Sequence, residues 1–213
     1  MVVIKNKKTF YKITNNTENH NGFQYKTGLN ILDSKFDPSS NCGGGLHFSN
    51  RENILHFIIF GDNIRELVVP DDAKIVKIKG VPLKYKTDKL ILKKEKYPVY
   101  SRDTIQRLKL KVNRLYLEKY FCYANDCLED KVAIAKQNKK LIDSSFINRL
   151  FDLCCCNTEI LNRTYFYDGP IKDIMIKVLE DKIVSKYQIK KLVTNKQGLP
   201  GEEKKVKFFT KFL

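Results

Sequence analysis

The chain has 213 residues, 42% of them hydrophobic, and a formal net charge of +16. This apolar fraction is enough for the core of one ordinary domain or of two small ones, and no apolar run reaches the roughly 18 residues that a membrane-spanning helix requires. The positive charge favours contact with polyanions such as nucleic acid, although an AT-rich genome, whose codons favour lysine, would produce the same excess.

The cysteines indicate a reducing compartment. Three of them are consecutive, at 154–156, and three cysteines in a row cannot all join a regular disulfide framework. The first residues place a short apolar run ahead of the lysines, which is the reverse of a secretory leader. We therefore expect an intracellular protein that is not secreted and has no membrane span.

The first hundred residues predict short strands separated by turns. Runs rich in β-branched and aromatic residues predict strands at 9–14, 23–25, 64–69, 73–79 and 89–94. Glycines 43–45 predict a tight structural turn, because the lysine and hydroxyl residue of a phosphate-binding loop are missing. Ser49 and Glu52 have the spacing of a capping box, which predicts a helix over 50–60 that ends at Gly61.

Beyond Pro98 the pattern becomes helical. Apolar residues at helical spacing predict one helix over 101–121, and further helices are predicted near 127–137, 144–153, 170–179 and 187–193. The tail is rich in lysine, and its segment 206–209 predicts a strand or a partner-docking segment. The sequence therefore predicts an α+β fold with a small β-rich domain at 1–98, a helical domain at 99–194 and a basic tail at 195–213.

Several short segments follow one another in a characteristic order: FYKIT at 10–14, GFQY at 22–25, GLN at 28–30, LHF at 46–48, VPDDA at 69–73 and DKLIL at 88–92. Through these segments, residues 9–94 resemble an uncharacterised domain at the N-terminus of many ankyrin-repeat and related proteins of mimivirus-like giant viruses. The resemblance implies a viral origin and an infected-amoeba setting, and it implies no activity. Residues 101–194 show no 33-residue ankyrin period, so a role built on ankyrin repeats is not expected.

A weaker resemblance connects the same region with ADP-ribosyltransferase-like folds. His20 with Gly22, followed by a strand at 44–48, is similar to the elements that hold the nicotinamide end of NAD in those enzymes. No glutamate stands in a recognisable position to complete the set, since Glu66 lies near the centre of a predicted strand. This resemblance implies a degenerate transferase as one alternative function.

A run of basic residues forms the candidate site for nucleic acid. Between residues 74 and 96 only Asp88 and Glu95 oppose the lysines, and tyrosines 85, 97, 100 and 116 are interleaved where they could stack on bases. The predicted phosphate-binding residues are Lys74, Lys77, Lys79, Lys84, Lys86, Lys89, Lys93, Lys94, Lys96, Arg102, Arg107, Lys111 and Arg114. A solvated lysine face is the alternative explanation.

Catalytic and metal sites are not expected. Cys122 and Cys127 have loose spacing for zinc, which the cysteines at 154–156 would have to complete, and packing of these cysteines on helices is the simpler explanation. Cys42 and His47 would form a nucleophilic pair only with an orienting carboxylate or carboxamide, and the sequence identifies none. We therefore predict no catalytic residue, no metal and no cofactor.

The sequence thus favours a giant-virus protein that binds rather than catalyses. The leading hypothesis is a nucleic-acid-binding or structural protein associated with the viral genome or the virion and located in the viral factory. The alternative is a protein–protein interaction module, acting as a homodimer or as an adaptor for a host partner.

Overall fold

The computed structural model describes residues 9–155, 170–197 and 203–213. The chain forms two compact units, 1–112 and 113–213. Antiparallel sheets dominate the first unit and helices build the second, which confirms the α+β class. The three-part division predicted at residues 98 and 194 stays a prediction.

The first unit contains the strands β1 (Phe10–Thr14), β2 (Asn19–His20), β3 (Phe23–Gln24), β4 (Gly28–Ile31), β5 (Leu46–Phe48), β6 (Asn63–Val68), β7 (Ile75–Ile78), β8 (Lys84–Thr87) and β9 (Lys89–Pro98). They form a four-stranded sheet in the order β1-β6-β9-β4, a three-stranded sheet in the order β5-β8-β7, and the hairpin β2-β3. Phe10, Phe48 and Leu92 belong to the core that the two larger sheets share.

Strand β1 is buried along its whole length. It pairs with β6, and its Tyr11 also forms a bridge to Ser49. A strand covered in this way usually consists of apolar residues throughout. β1 instead carries Lys12 between Tyr11 and Ile13, so the position of the strand places a lysine in the protein interior.

Strand β9 extends beyond the predicted 89–94. Leu67 of β6 pairs with Leu92, whereas Arg65 pairs with Lys96, so β9 carries extra residues over this interval and forms a bulge. The bulge keeps β9 beside β6 after its pairing with β4 has ended.

The Arg65 side chain is completely buried beside this bulge. Its guanidinium donates to the carbonyl of Lys93 at 3.1 Å and to the hydroxyl of Thr27 at 2.9 Å, and it forms an ion pair with Glu18. Arg65 therefore satisfies a bulge carbonyl that the sheet leaves free, which gives this buried charge a structural role.

The helix predicted over 50–60 is wrong in type and in its first residues. The structure has a 3-10 helix at Ile54–Phe60, which ends before Gly61 as predicted. Ser49 does not cap it, because the Ser49 backbone bridges Tyr11 and its hydroxyl donates to the carbonyl of Leu83 at 2.5 Å. The hydrogen bonds of Ser49 to Tyr11 and Leu83 therefore replace the cap that was predicted for the helix.

The single helix predicted over 101–121 is also wrong. The structure has two helices here, α1 (Arg102–Leu108) and α2 (Arg114–Tyr123). The predicted start is confirmed, since the Ser101 hydroxyl accepts from the backbone amide of Thr104. Lys109 ends α1 in a left-handed conformation with φ of 50°, and Asn113 then caps α2. These local caps outweigh the continuous apolar periodicity.

The second unit continues with α3 (Leu128–Gln137), α4 (Ser144–Cys155), α5 (Pro170–Glu180), α6 (Lys186–Lys196) and α7 (Glu203–Thr210), and a 3-10 helix at Lys139–Leu141. α3 to α6 confirm the predicted helices. Tyr120, Phe146 and Ile174 are completely buried in the core of this unit. Within the described ranges, no helix has the length and apolar character needed to cross a membrane.

The strand predicted at 206–209 is wrong, because these residues lie in α7. Phe209 is completely buried, and Lys205 forms an ion pair with Asp152 of α4 at 2.6 Å. The consecutive aromatic residues favour a strand locally, but packing against other helices decides their conformation.

Candidate functional site

A cleft of about 210 Å³ lies in the first unit beside β1, the β2–β3 hairpin and the 3-10 helix. Its polar lining is Lys12, His20, Asn21, Cys42, His47 and Lys84. Its aromatic lining is Phe48, Phe57 and Phe60. Among the residues that the structure describes, no aspartate or glutamate lines this cleft. It therefore combines apolar surface with basic side chains.

The β2–β3 hairpin positions His20 at the cleft. Asn21 and Gly22 both have positive φ, 53° and 83°, and Asn-Gly is the preferred pair for a two-residue hairpin turn. The imidazole of His20 lies 5.3 Å from the ring of Phe60. Burial, and then the charge of Lys12, lower the pKa of His20, which favours its neutral form at neutral pH.

Lys12 is a buried amine with few partners. The residue is 4% exposed. Its Nζ donates to the carbonyl of His47 at 3.1 Å and lies 4.2 Å from the centre of the Tyr25 ring. No carboxylate pairs with it in the part of the chain that the structure describes. Burial lowers the pKa of Lys12 to about 7, so its charged and neutral forms are both populated at neutral pH.

His47 lines this cleft and carries an unused hydrogen-bonding atom. Burial, with smaller contributions from Lys12 and Lys84, lowers the pKa of His47 to about 4, so its imidazole is neutral. Its Nε2 is buried and makes no hydrogen bond to any described residue. A neutral imidazole nitrogen either donates or accepts, so His47 can satisfy a polar group placed in the cleft.

Cys42 and Lys84 lie together at the same cleft, with 3.0 Å between Sγ and Nζ. Cys42 is exposed, but the described lining contains no carboxylate that would orient His47 as its base. The cleft therefore offers binding groups rather than an oriented nucleophile. No cluster of three metal-ligating side chains occurs among the side chains that the structure describes, which do not include those of the cysteines at 154–156.

Gly44 and Gly45 lie where a side chain would clash, in agreement with the predicted structural turn. Gly44 has a φ of +60°, and a Cβ there would lie 2.6 Å from the Cβ of Asp37. A Cβ on Gly45 would lie 2.9 Å from Lys86. Lys86 is completely buried, and its Nζ donates to the carbonyl of Gly43 at 2.6 Å and to Asp37 at 3.3 Å.

The structure disperses the predicted phosphate-binding residues. Lys86 is buried in the glycine turn, and Arg114 lies in the second unit, where it pairs with Asp143 at 3.2 Å. Lys77 and Lys84 lie on opposite faces of the β5-β8-β7 sheet, because Lys77 pairs with the residue after Lys84. Lys74, Lys79, Lys94 and Lys111 are exposed, and Arg102 begins α1.

Besides Lys86, three more of the predicted lysines form ion pairs. The pairs are Lys89 with Asp72 at 2.6 Å, Lys93 with Glu66 at 2.9 Å, and Lys96 with Glu18 at 3.3 Å. Such pairs at an exposed surface contribute little stability. They also offset part of the positive charge that a polyanion would meet.

One group of the predicted residues does come together. The pairing of β9 with β4 ends at Leu92, and the following residues Lys93–Lys96 are all exposed. Arg107 of α1 lies over the ring of Tyr97 at 5.3 Å, which places α1 beside this stretch of β9. We call this group of basic residues the β9 edge: Lys93, Lys94, Lys96 and Arg107.

The tyrosines predicted to stack on bases offer little surface for it. Tyr116 is completely buried, Tyr97 is 9% exposed and lies beneath Arg107. Tyr85 packs against Phe10 and Phe48 in the core. Contact of the first unit with nucleic acid therefore has to rest on charge rather than on these rings.

Proteins of Acanthamoeba polyphaga mimivirus are similar to this chain. The uncharacterised protein R869 is 40% identical over 100 residues, which cover 46% of this chain and 72% of R869. The chain belongs to this mimivirus family of uncharacterised proteins. Two further mimivirus proteins with ankyrin-repeat names, R896 and R868, are 45% and 43% identical to it over 64 and 68 residues. These matches confirm the giant-virus resemblance.

The family match covers part of the longer relatives. The aligned segments cover 29% and 30% of this chain and span 19% of R896 and 34% of R868, so the whole-protein roles of those two relatives do not transfer directly. No protein-family model matches the chain, and no solved structure matches it.

Sequence reasoning missed that Lys12 and Arg65 are buried. Lys12 is the one charged residue in FYKIT, and Arg65 stands between Ile64 and Glu66 in the middle of β6. A single charge inside a strand of aromatic and β-branched residues was the available signal for Lys12. For Arg65 no local signal exists, because its partners come from distant segments.

Proposed function

We propose that this mimivirus-family protein acts by binding, and that the β9 edge contacts the phosphate backbone of nucleic acid. The observation that supports it is the exposure of Lys93, Lys94 and Lys96 on one stretch of β9, with Arg107 beside them. Basic side chains that neutralise phosphates release condensed counterions, which drives binding without a choice of sequence.

Binding of this kind would locate the protein on viral nucleic acid. The charge of +16 supports long-range attraction to a polyanion, while Glu18 and Glu66 moderate it at the β9 edge. Association with the genome in the viral factory, or with packaged genome in the virion, follows from the same electrostatic binding.

The test is fluorescence anisotropy of a labelled DNA duplex with the full chain at several salt concentrations. The wild type is expected to bind at about 50 mM salt and to weaken steeply by about 200 mM. Changing Lys94, Lys96 and Arg107 together to Gln is expected to lower the slope of log affinity against log salt by roughly one for each lost phosphate contact.

The matched control changes Lys139, Lys140 and Lys190 to Gln. These lysines are exposed in the second unit, so the control removes the same charge elsewhere and should leave more of the salt slope intact. Equal effects of the two triple variants would show that binding follows net charge and not the β9 edge, and absence of salt-dependent binding in the wild type would exclude the proposal.

A second candidate function is protein–protein interaction through β4. This strand is an edge of its sheet, and its Leu29 and Ile31 are 46% and 60% exposed. An exposed apolar edge strand favours pairing with another strand, and a second copy of this chain offers the same β4. The ankyrin-repeat names of R896 and R868 also suit an interaction role.

Light scattering during size-exclusion chromatography tests this second function. A dimer would have twice the chain mass of 24.9 kDa, and changing Leu29 and Ile31 to Lys should return it to the monomer. Ile59 is 71% exposed outside the strands, so Ile59→Lys should leave the dimer intact. A wild-type monomer at every concentration would contradict self-pairing.

A further inference from the structure

We propose that the cleft beside β1 binds a small aromatic acid, with the acid group against Lys12 and His47 and the ring between the phenylalanines. This site is separate from the β9 edge and does not depend on the proposal for nucleic acid. Its ligand class is a single ring that carries one carboxylate or phosphate.

The charge of the lining indicates an anion. Lys12 and Lys84 are the basic side chains of the lining, the imidazoles of His20 and His47 are neutral, and the described lining contains no carboxylate. Lys12 uses one of the three donors of its ammonium group on the carbonyl of His47. Lys12 lines the cleft, so an anion bound there would supply the missing counter-charge.

A second observation also indicates a ligand. The Nε2 atom of His47 is buried and has no hydrogen-bonding partner among the described residues. Most buried polar atoms in proteins have a hydrogen-bonding partner, so an unpartnered nitrogen on a residue that lines a cleft is consistent with a polar group supplied by a ligand. An acid group that reaches Lys12 next to the His47 carbonyl would lie close to this imidazole.

The walls and the volume restrict the rest of the ligand. Phe48, Phe57 and Phe60 line the cleft, and aromatic side chains favour stacked or edge-on rings. A volume of about 210 Å³ is below the ~300–1,000 Å³ of pockets for drug-sized ligands. It suits a single ring and is too small for a dinucleotide, so it does not support the NAD site implied by the weaker resemblance.

The cost of keeping Lys12 buried supports a binding role. Burial lowers its pKa to about 7, which means that the charged amine destabilises the fold. An amphipathic pocket with a costly cation is typical of a site that gains its counter-ion from a ligand. Without a ligand, the described contacts of the amine are one carbonyl and one aromatic ring, and neither supplies a counter-charge.

The experiment is an amide chemical-shift titration of the labelled full chain with benzoate and with phenyl phosphate. At least one acid is expected to saturate shifts of cleft residues with a Kd near 1 mM or tighter. Acetate supplies the acid group alone and benzyl alcohol supplies the ring alone, and both should bind at least about tenfold more weakly. The acid that binds more tightly identifies whether the cleft prefers a carboxylate or a phosphate.

Two variants separate the cleft from general charge. Lys12→Met should weaken binding of the better acid at least about tenfold, and Lys26→Met, which removes an exposed lysine of the same unit, should leave it within about twofold. Unsaturable shifts with both acids, equal binding of benzyl alcohol, or wild-type affinity in the Lys12 variant would each overturn the proposal.

A measurement on the wild type keeps the proposal testable if the Lys12 variant does not fold. Affinity for the better acid should be about tenfold higher at pH 6.5 than at pH 8.5, because the anion favours protonated Lys12. His47, with a pKa of about 4, and His20, whose pKa is lowered, change charge mostly below this window. Arg65 pairs with Lys12 across the sheet, and Tyr25, which also faces Lys12, stays neutral across this window because burial raises its pKa. Equal affinity at both pH values would contradict a role for Lys12.

Discussion

Arg65 and Lys12 are paired neighbours on β6 and β1, and their surroundings differ. Arg65 meets Glu18, the Thr27 hydroxyl and the Lys93 carbonyl. Lys12 is buried to a similar depth but meets one carbonyl and an aromatic ring. Burial alone therefore does not mark a functional cation. What distinguishes the two is whether the protein itself supplies the acceptors.

The largest expected effect is the loss of stability on replacing Arg65, which tests its structural role. Arg65→Ala leaves Glu18 and the Lys93 carbonyl without their buried donor, and it should lower the free energy of unfolding by ~3–5 kcal/mol. Urea unfolding measures this change. Lys96→Ala is the control, because Lys96 pairs with the same Glu18 from a half-exposed position and should cost less than ~1 kcal/mol. Similar losses in both variants would contradict the structural role of Arg65.

Replacing Lys12 should change the free energy of unfolding in the opposite direction. Lys12→Met keeps a long flexible side chain and removes the buried amine, so it should raise the free energy of unfolding at pH 7 by ~2–4 kcal/mol. The same urea unfolding experiment measures the gain. A loss of stability of similar size would show that Lys12 is already well satisfied by its hydrogen bond and ring contact.

A third buried cation, Lys86, depends on the glycine turn for its acceptors. Gly44→Ala forces a side chain into positive φ and against Asp37, and it should lower the free energy of unfolding by ~2 kcal/mol. Gly43→Ala is the matched control, since a Cβ there meets nothing within 4 Å, and it should change stability by less than ~0.5 kcal/mol. Equal effects would show that the turn adapts freely around Lys86.

The smallest expected effect is the change in the free energy of unfolding per pH unit. Lys12 has a lowered folded-state pKa of about 7 and an ordinary value of 10.5, so between these values the unfolded chain binds more protons than the folded one. The free energy of unfolding should therefore rise with pH in this window, by at most ~1.4 kcal/mol per pH unit from this group. Unfolding at pH 7, 8 and 9 should show the rise in the wild type but not in Lys12→Met, and parallel curves would contradict the shifted pKa.

Local chemistry predicted much of the fold. Ser101 begins α1 and Pro170 begins α5 as predicted, because caps and first-turn residues act within a few positions along the chain. Ser49 failed as a cap and 206–209 failed as a strand because distant contacts decide both conformations. The family resemblance was available from the order of short segments in the first half of the chain.

The sites were harder to predict than the elements. The lysine run could be read from the sequence, but the strand register that separates Lys77 from Lys84 could not. The cleft draws its lining from segments between Lys12 and Lys84, so no single motif describes it. Lys12 became informative only when β1 proved to be buried on both faces.

The proposed role of Lys12 as a buried amine held for an acidic ligand can be tested by measuring its pKa directly. An NMR titration of lysine side chains in the full chain should show one amine that titrates near pH 7. Saturating benzoate or phenyl phosphate should raise that pKa above about 8. An ordinary lysine pKa without ligand, or a lowered pKa that neither acid changes, would contradict the account.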